Sequence, residues 1–262
     1  MSLPSFDNPP LEEVVLGAQF SSPEGFNSTH NGQVWSLFGQ EFPIVQDQPR
    51  LEPQFEVFGG QSPQQGIRLD FGPPPLRNRL WFVSNDQSHL LQFQDDRLLL
   101  NWRKRKEGEQ YPRYETISDK FSEYLGRLDS FYSSKYQMPL RINQAEISYI
   151  NIIPMENYRE IGELLSLVRP SSVELEGINA NFGEVIRRDT KPVARITYEL
   201  QSVSTVDGRK RALRLSLTYR GKPLLENIDS TLDFISNGRD LIVKRFCDIT
   251  TSKAHGLWRR TS

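Results

Sequence analysis

An α+β fold with a mainly antiparallel sheet is what this sequence predicts, and three observations carry the prediction. Strict apolar–polar alternation recurs in both halves, most plainly where Ala194, Ile196, Tyr198 and Leu200 interleave with Arg195, Thr197, Glu199 and Gln201. A period of two marks a strand with one face buried and the other wetted, the usual condition of antiparallel sheet. Successive runs are joined by short turn sequences, "NDQS" and "DD", which is the pattern of a meander. Elsewhere the period changes to that of a helix, with Ile117, Phe121, Leu125 and Leu128 on one stripe.

Taken in order, "LEEVVLGAQF" (11–20) is β-branched and apolar and reads as a first strand, and Val34, Trp35 and Phe38 mark a short helix within 28–42. Pro43, Pro49, Pro53, Pro63 and the triplet at 73–75 make the next region loop, with edge strands at 54–59 and 66–72, because proline cannot donate to a ladder. Strands at 78–84, 89–94 and 97–105 form the meander, followed by a helix over 116–136 capped by Thr116 or Ser118. A strand at 142–153 opens the second half. A helix over 155–170, carrying Tyr158, Ile161, Leu164, Leu165 and Val168, is expected to stop at Pro170. Strands at 182–188, 192–203 and 211–221 follow, the last two across the "VDG" turn, then a strand at 224–232, a helix over 238–249 and a short helix over 252–260. Both halves thus read strand, helix, meander, longer helix. That order predicts two similar lobes, 1–138 and 139–262, as an internal duplication that shares one core or one sheet.

Composition narrows the function classes. The chain has 262 residues, 37% hydrophobic and 11% aromatic, enough to bury a real core and too aromatic for general disorder. Basic and acidic residues number 32 and 33, and a net charge of -1 gives no support to a dedicated nucleic-acid binder. Cys247 is the single cysteine, which excludes an internal disulfide and a cysteine-rich metal site. No secretory leader opens the sequence and no run of about eighteen apolar residues occurs, so a cytoplasmic protein of a bacterial cell is expected, with no membrane partner.

Five stretches together carry a resemblance: "NPPLEEVV" (8–15), "NRLWFVS" (78–84), "LLQFQDDRLLLNWRK" (90–104), "YPRYE" (111–115), and Phe246, Ile249 and Thr250 followed by Trp258. The chain resembles a sporadically distributed family of uncharacterised bacterial proteins over nearly its full length. The resemblance brings no activity, cofactor or catalytic residue with it. The patchy distribution implies an accessory role such as defence or toxin neutralisation, which is association rather than mechanism.

Chemistry-bearing motifs are scarce. His30, His89 and His255 match no zinc spacing, and no nucleophile elbow, Walker A loop or dinucleotide fingerprint is present. His89 opens a strand, where an exposed polar residue is ordinary, and Asp95–Asp96 reads as turn geometry. Cys247 lies among Phe246 and Ile249 as a small hydrophobe. "FGPPPLRNRLWF" (71–82) reads as a stiff connector, with a polyproline ligand as the alternative. The basic clusters Arg103, Lys104, Arg105, Lys106 and Arg209, Lys210, Arg211 sit at hairpin tips, and a third, "WRR", is at 258–260. Binding phosphates would require the cations on one face with Trp102, Tyr111 or Tyr114 free to stack. Trp102 continues the inward alternation of Leu98 and Leu100, and charged tips also protect against edge-to-edge association. With no metal or cofactor expected, the sequence points to a non-enzymatic module that binds a protein partner through the Pro-rich 43–75 region and the outer sheet faces. A nucleic-acid binder using 103–106 and 209–211, and an enzyme with an unrecognised site, stay open beside it.

Overall fold

Alternation becomes nine strands in the structure, a computed structural model that describes residues 3–59, 78–106, 108–168, 175–204 and 210–262. They are β1 (Leu11–Phe20), β2 (Ile44–Gln48), β3 (Arg79–Val83), β4 (His89–Gln94), β5 (Arg97–Arg103), β6 (Ile142–Met155), β7 (Asn179–Arg188), β8 (Lys191–Ser204) and β9 (Arg211–Gly221). The helices are α1 (His30–Ser36), α2 (Tyr114–Tyr136), α3 (Ile161–Leu164), α4 (Ile228–Ile249) and α5 (Ser252–Leu257). All nine strands join one antiparallel sheet in the order β2-β3-β4-β5-β1-β6-β9-β8-β7. The fold is α+β with a mainly antiparallel sheet.

The two halves meet where β1 pairs with β6, Val14 opposite Tyr149 and Leu16 opposite Ile147. Outward from this seam the first half runs β1, β5, β4, β3, β2 and the second runs β6, β9, β8, β7, so both wind the same way. The sheet is continuous, and one apolar core runs through both halves. Helices α2 and α4 cover one face. Phe121, Leu125 and Leu128 of α2 are fully buried there, as are Leu16 and Leu100 of the sheet. Helix α4 approaches closest at Gly238, where a Cβ would fall 2.3 Å from the Tyr219 ring and 3.0 Å from Ile147.

Residues 50–58 cross the opposite face as a strap. Three glutamines on three different strands take its backbone N–H groups. Gln94 accepts from Leu51 (2.9 Å), Gln19 from Gln54 (2.9 Å) and Gln144 from Glu56 (3.5 Å). Arg97 donates to the Glu52 carbonyl (2.9 Å), and Arg195 binds Glu56 (2.7 Å) and the Val57 carbonyl (2.9 Å). Asp95 and Asp96 are buried beneath the strap's start, where Ser22, Arg50, Gln94 and Arg97 surround them. The aspartates do form the β4–β5 turn, as read from the sequence, and belong as well to a neutralised buried network, which a charge in low dielectric requires.

Several expectations are corrected. The predicted strand at 54–59 is extended but lies across the strands, bonded to side chains rather than a ladder. Strand β2 was not expected; Pro43 and Pro49 bracket it at the sheet edge, where no outward N–H is needed. The helix over 155–170 is reduced to a 3-10 turn at Tyr158–Glu160 and the four residues of α3. Leu165 is extended (φ -118°, ψ 127°) and bridges to Thr250, while Ser166 N–H donates to the Ile249 carbonyl (2.9 Å). Tertiary hydrogen bonds to the end of α4 thus replace the next helical turn. The strand at 224–232 is instead the entry to α4, because the Asn227 side chain accepts from Ser230 N–H and caps the helix. Leu224 and Leu225, whose apolar character suggested a strand, are exposed. Neither Thr116 nor Ser118 caps α2, which begins at Arg113 without a side-chain cap. The strand at 66–72, the triplet 73–75, the "VDG" turn, Pro170 and Arg209 lie outside the described residues.

Candidate functional site

Distant parts of the chain converge at the end of the seam where β1 begins and β5 and β6 finish. The N-terminal segment folds over the C-terminal turn. Asp7 N–H donates to the Arg259 carbonyl and Asn8 N–H to the Trp258 carbonyl, both at 3.1 Å. Phe6 packs edge-on against Phe246 (5.8 Å) and Trp258 (6.2 Å). Between this rim and the loop leading into α2 lies a cleft of about 420 Å³, walled by Phe6, Pro9, Leu11, Trp102 and Tyr111 and fringed by Lys104, Arg113 and Arg259. A second cavity of about 160 Å³ adjoins it under α4, sharing Phe6, Pro9, Leu11, Tyr111 and Arg113 and adding Tyr149, Arg239, Ile242 and Phe246.

The polar groups here are mostly donors. Tyr111 and Tyr149 hydroxyls are 3.1 Å apart. Burial pushes both phenols up, Tyr149 to about 12 and Tyr111 further, so neither serves as a base near neutral pH. Arg239 lies over the Tyr114 ring (5.3 Å), bonds Asp240 (3.1 Å) and reaches Glu115 (3.7 Å), leaving its buried Nε without a partner. Arg113 and Arg259 are exposed, and neither side chain makes an ion pair among the described residues. Four cations thus face two carboxylates, Asp7 and Glu109, across both cavities. Glu109 is already engaged by the N–H groups of Arg105 (2.8 Å) and Lys106 (3.1 Å).

Arg113 is held at φ 76° and ψ 153°, a region that essentially only glycine occupies. Placed between Pro112 and the first residue of α2, Arg113 borders both cavities. Arg259 also has positive φ (53°).

Comparison with protein-family models, with curated proteins and with solved structures finds no match.

The basic clusters divide. Lys104 reaches the cleft on the same side of the strand as Trp102. Arg103 is half-buried with Nε unpartnered, Arg105 binds the Gln87 carbonyl (3.0 Å) and side chain (3.1 Å), and Lys106 is exposed. Arg211 lies over the Tyr158 ring (5.7 Å), and Lys210 is exposed. Arg103 pairs with Glu13 and Arg211 with Met155, so the tips share one end of the sheet but β1 and β6 separate them. With strand spacing and rise per residue they are about 20 Å apart. The first cluster therefore meets the third, through Lys104 and Arg259, rather than the second.

No histidine or cysteine lines the cleft. His89, expected to be exposed, is half-buried; Ser88 lies 2.8 Å from its ring and Lys120 3.5 Å, and burial pushes its pKa down. Ser84 and Ser88 both donate to Asp86, so these groups close the β3–β4 turn. Cys247 is half-buried, its thiol pushed up by burial. The described residues contain no cluster able to hold a metal.

Sequence reasoning singled out Trp102, Lys104, Tyr111 and, in the third basic cluster, Arg259, and passed over Tyr149 and Arg239 as site residues. The signal for Arg113 was a proline followed by a bulky residue at a helix start; nothing local marked Arg239.

Proposed function

We propose that the protein is a non-enzymatic binding module that recognises a protein partner through the cationic, aromatic cleft at the β1–β6 seam. The observation that carries this reading is the pairing of unspent cations with an apolar wall at a site built from three distant stretches of chain. Among the described residues the Arg113 and Arg259 side chains make no ion pair, yet the backbone at both is held at positive φ. Strained residues of this kind gather at functional sites. Burial holds the two phenols neutral, which suits groups that bind rather than react.

A nucleic-acid reading draws support from the meeting of Lys104 with Arg259. It is the weaker reading. Trp102 is 2% exposed and offers no platform for a base, and a net charge of -1 supplies no attractive field.

Capture from the native host, with the wild-type chain and with Arg113→Glu/Arg259→Glu, tests the reading. A protein retained by the wild type, resistant to nuclease and lost from the variant, is expected at moderate salt, with part of it kept at high salt because the apolar wall is not screened while the exposed arginines are. Retention by both chains, or nucleic acid that elutes steeply as salt rises, overturns it.

A further inference from the structure

We infer that the group this cleft takes from its partner is a carboxylate beside a large apolar side chain, presented on an acidic segment of polypeptide. The inference rests on the protein-binding reading and specifies its ligand. The inner cavity, about 160 Å³, has room for one large side chain against Ile242 and Phe246. No carboxylate lines it. Arg239 already pairs with Asp240 and Glu115 and bonds Tyr149, and Asn151 donates to the Leu215 carbonyl, but two donors at the cavity keep a hydrogen unspent among the described residues. Arg239 Nε is buried and unpartnered. The Tyr111–Tyr149 pair has two hydroxyl hydrogens and spends one on the bond between them. Arg113 borders both cavities with its donors unused. An occupant must bring an acceptor to this point, since an apolar group would leave buried donors unpaired, and the surrounding cations favour a charged carboxylate over a neutral amide oxygen.

The shared wall sets the spacing. Phe6, Pro9, Leu11 and Tyr111 belong to both cavities, so an anion at Arg113 lies one residue from a side chain entering the inner cavity. Neighbouring residues of an extended segment point to opposite sides, which suits one to the cations and the other to the apolar floor.

The test is selection of a random-sequence displayed peptide library on the wild-type chain and on Arg113→Glu/Arg259→Glu. Enrichment of Asp or Glu next to Phe, Leu, Ile or Trp is expected on the wild type alone. A synthetic copy of the best peptide should change the fluorescence of Trp102 and Trp258. Its Glu→Gln or Asp→Asn version should bind about 10- to 100-fold more weakly, the range for losing a hydrogen bond to a charged group. Arg239→Lys, which keeps the charge without the planar fork, should weaken the acidic peptide and leave the amide version unchanged. Unfolding midpoints of all variants show whether the fold is intact. The inference is overturned by enrichment without acidic residues, by no enrichment, by equal binding to the double variant, or by an amide peptide that binds as well as its acid. If host capture still depends on the cleft in those cases, the protein-binding reading stands and only the ligand class fails; if capture ignores the cleft, the reading itself fails.

Discussion

Arg113 concentrates the tension between stability and use in this molecule. Its backbone sits where a side chain costs about 1–3 kcal/mol, and the side chain makes no internal ion pair that would offset this. Arg113→Gly should therefore stabilise the fold by about 1 kcal/mol net, after glycine's added flexibility of about 0.5–1 kcal/mol is subtracted, and raise the urea midpoint accordingly. The same variant should lose the captured partner. A lower midpoint would show that the arginine stabilises the fold after all, and the cleft would lose its strongest argument. None of this was legible locally, since "YPRYE" shows a proline and two tyrosines but not the dihedral angles they impose. The inward turn of Trp102 was legible, because alternation with Leu98 and Leu100 needs no tertiary knowledge.

At the level of elements, the β3–β4 hairpin shows what a turn sequence conceals. The hydroxyls of Ser84 and Ser88 donate to Asp86 (2.7 and 2.8 Å) and hold its carboxyl down from 3.8 to about 2. A depressed folded pKa means that folding favours the ionised form. The stabilisation is present above the unfolded value and is lost as pH falls from about 4 toward 2. Asp86→Asn should unfold at lower urea at neutral pH and lose less of its midpoint than the wild type across that interval. Parallel pH profiles for the two chains would remove Asp86 from the account. The turn was readable from Asp and Ser between apolar runs, and its electrostatics required the coordinates. The β7–β8 turn escaped notice because Asp189 and Thr190 both take positive φ (47° and 68°), and a β-branched residue is a poor advertisement for such a turn.

Across the whole molecule, the closeness of α4 to the sheet decides whether the site assembles. Gly238 lets the helix rest on Tyr219 and Ile147, and the next residue, Arg239, reaches Tyr114 and Glu115 of α2 from that position. Gly238→Ala places a methyl inside the Tyr219 ring's contact distance, in a core where neither neighbour has space to retreat. Overpacking of about 1–3 kcal/mol should exceed the helix-propensity gain of about 1 kcal/mol. The thermal midpoint should fall, and peptide binding should weaken in the fraction still folded. A midpoint that stays or rises would mean that the helix shifts freely and that Arg239 is not set by this contact.

The sequence by itself determined the fold class, the meander, α2, the C-terminal half of α4 and the inward faces of the alternating strands, because periodicity and short turns are local consequences of burial. Only the tertiary structure decided that β1 lies beside β6, that 50–58 crosses the strands instead of joining them, and that a helix expected over 155–170 ends within two turns. Those outcomes depend on which partner a backbone N–H finds: a glutamine on another strand for the strap, and the Ile249 carbonyl for Ser166. The cleft is of the same kind. Lys104 and Arg259 stand in basic clusters that the sequence displays, but nothing local joins them to Arg113 and Arg239, and the four form one site because the seam brings both halves and both ends of the chain to one point.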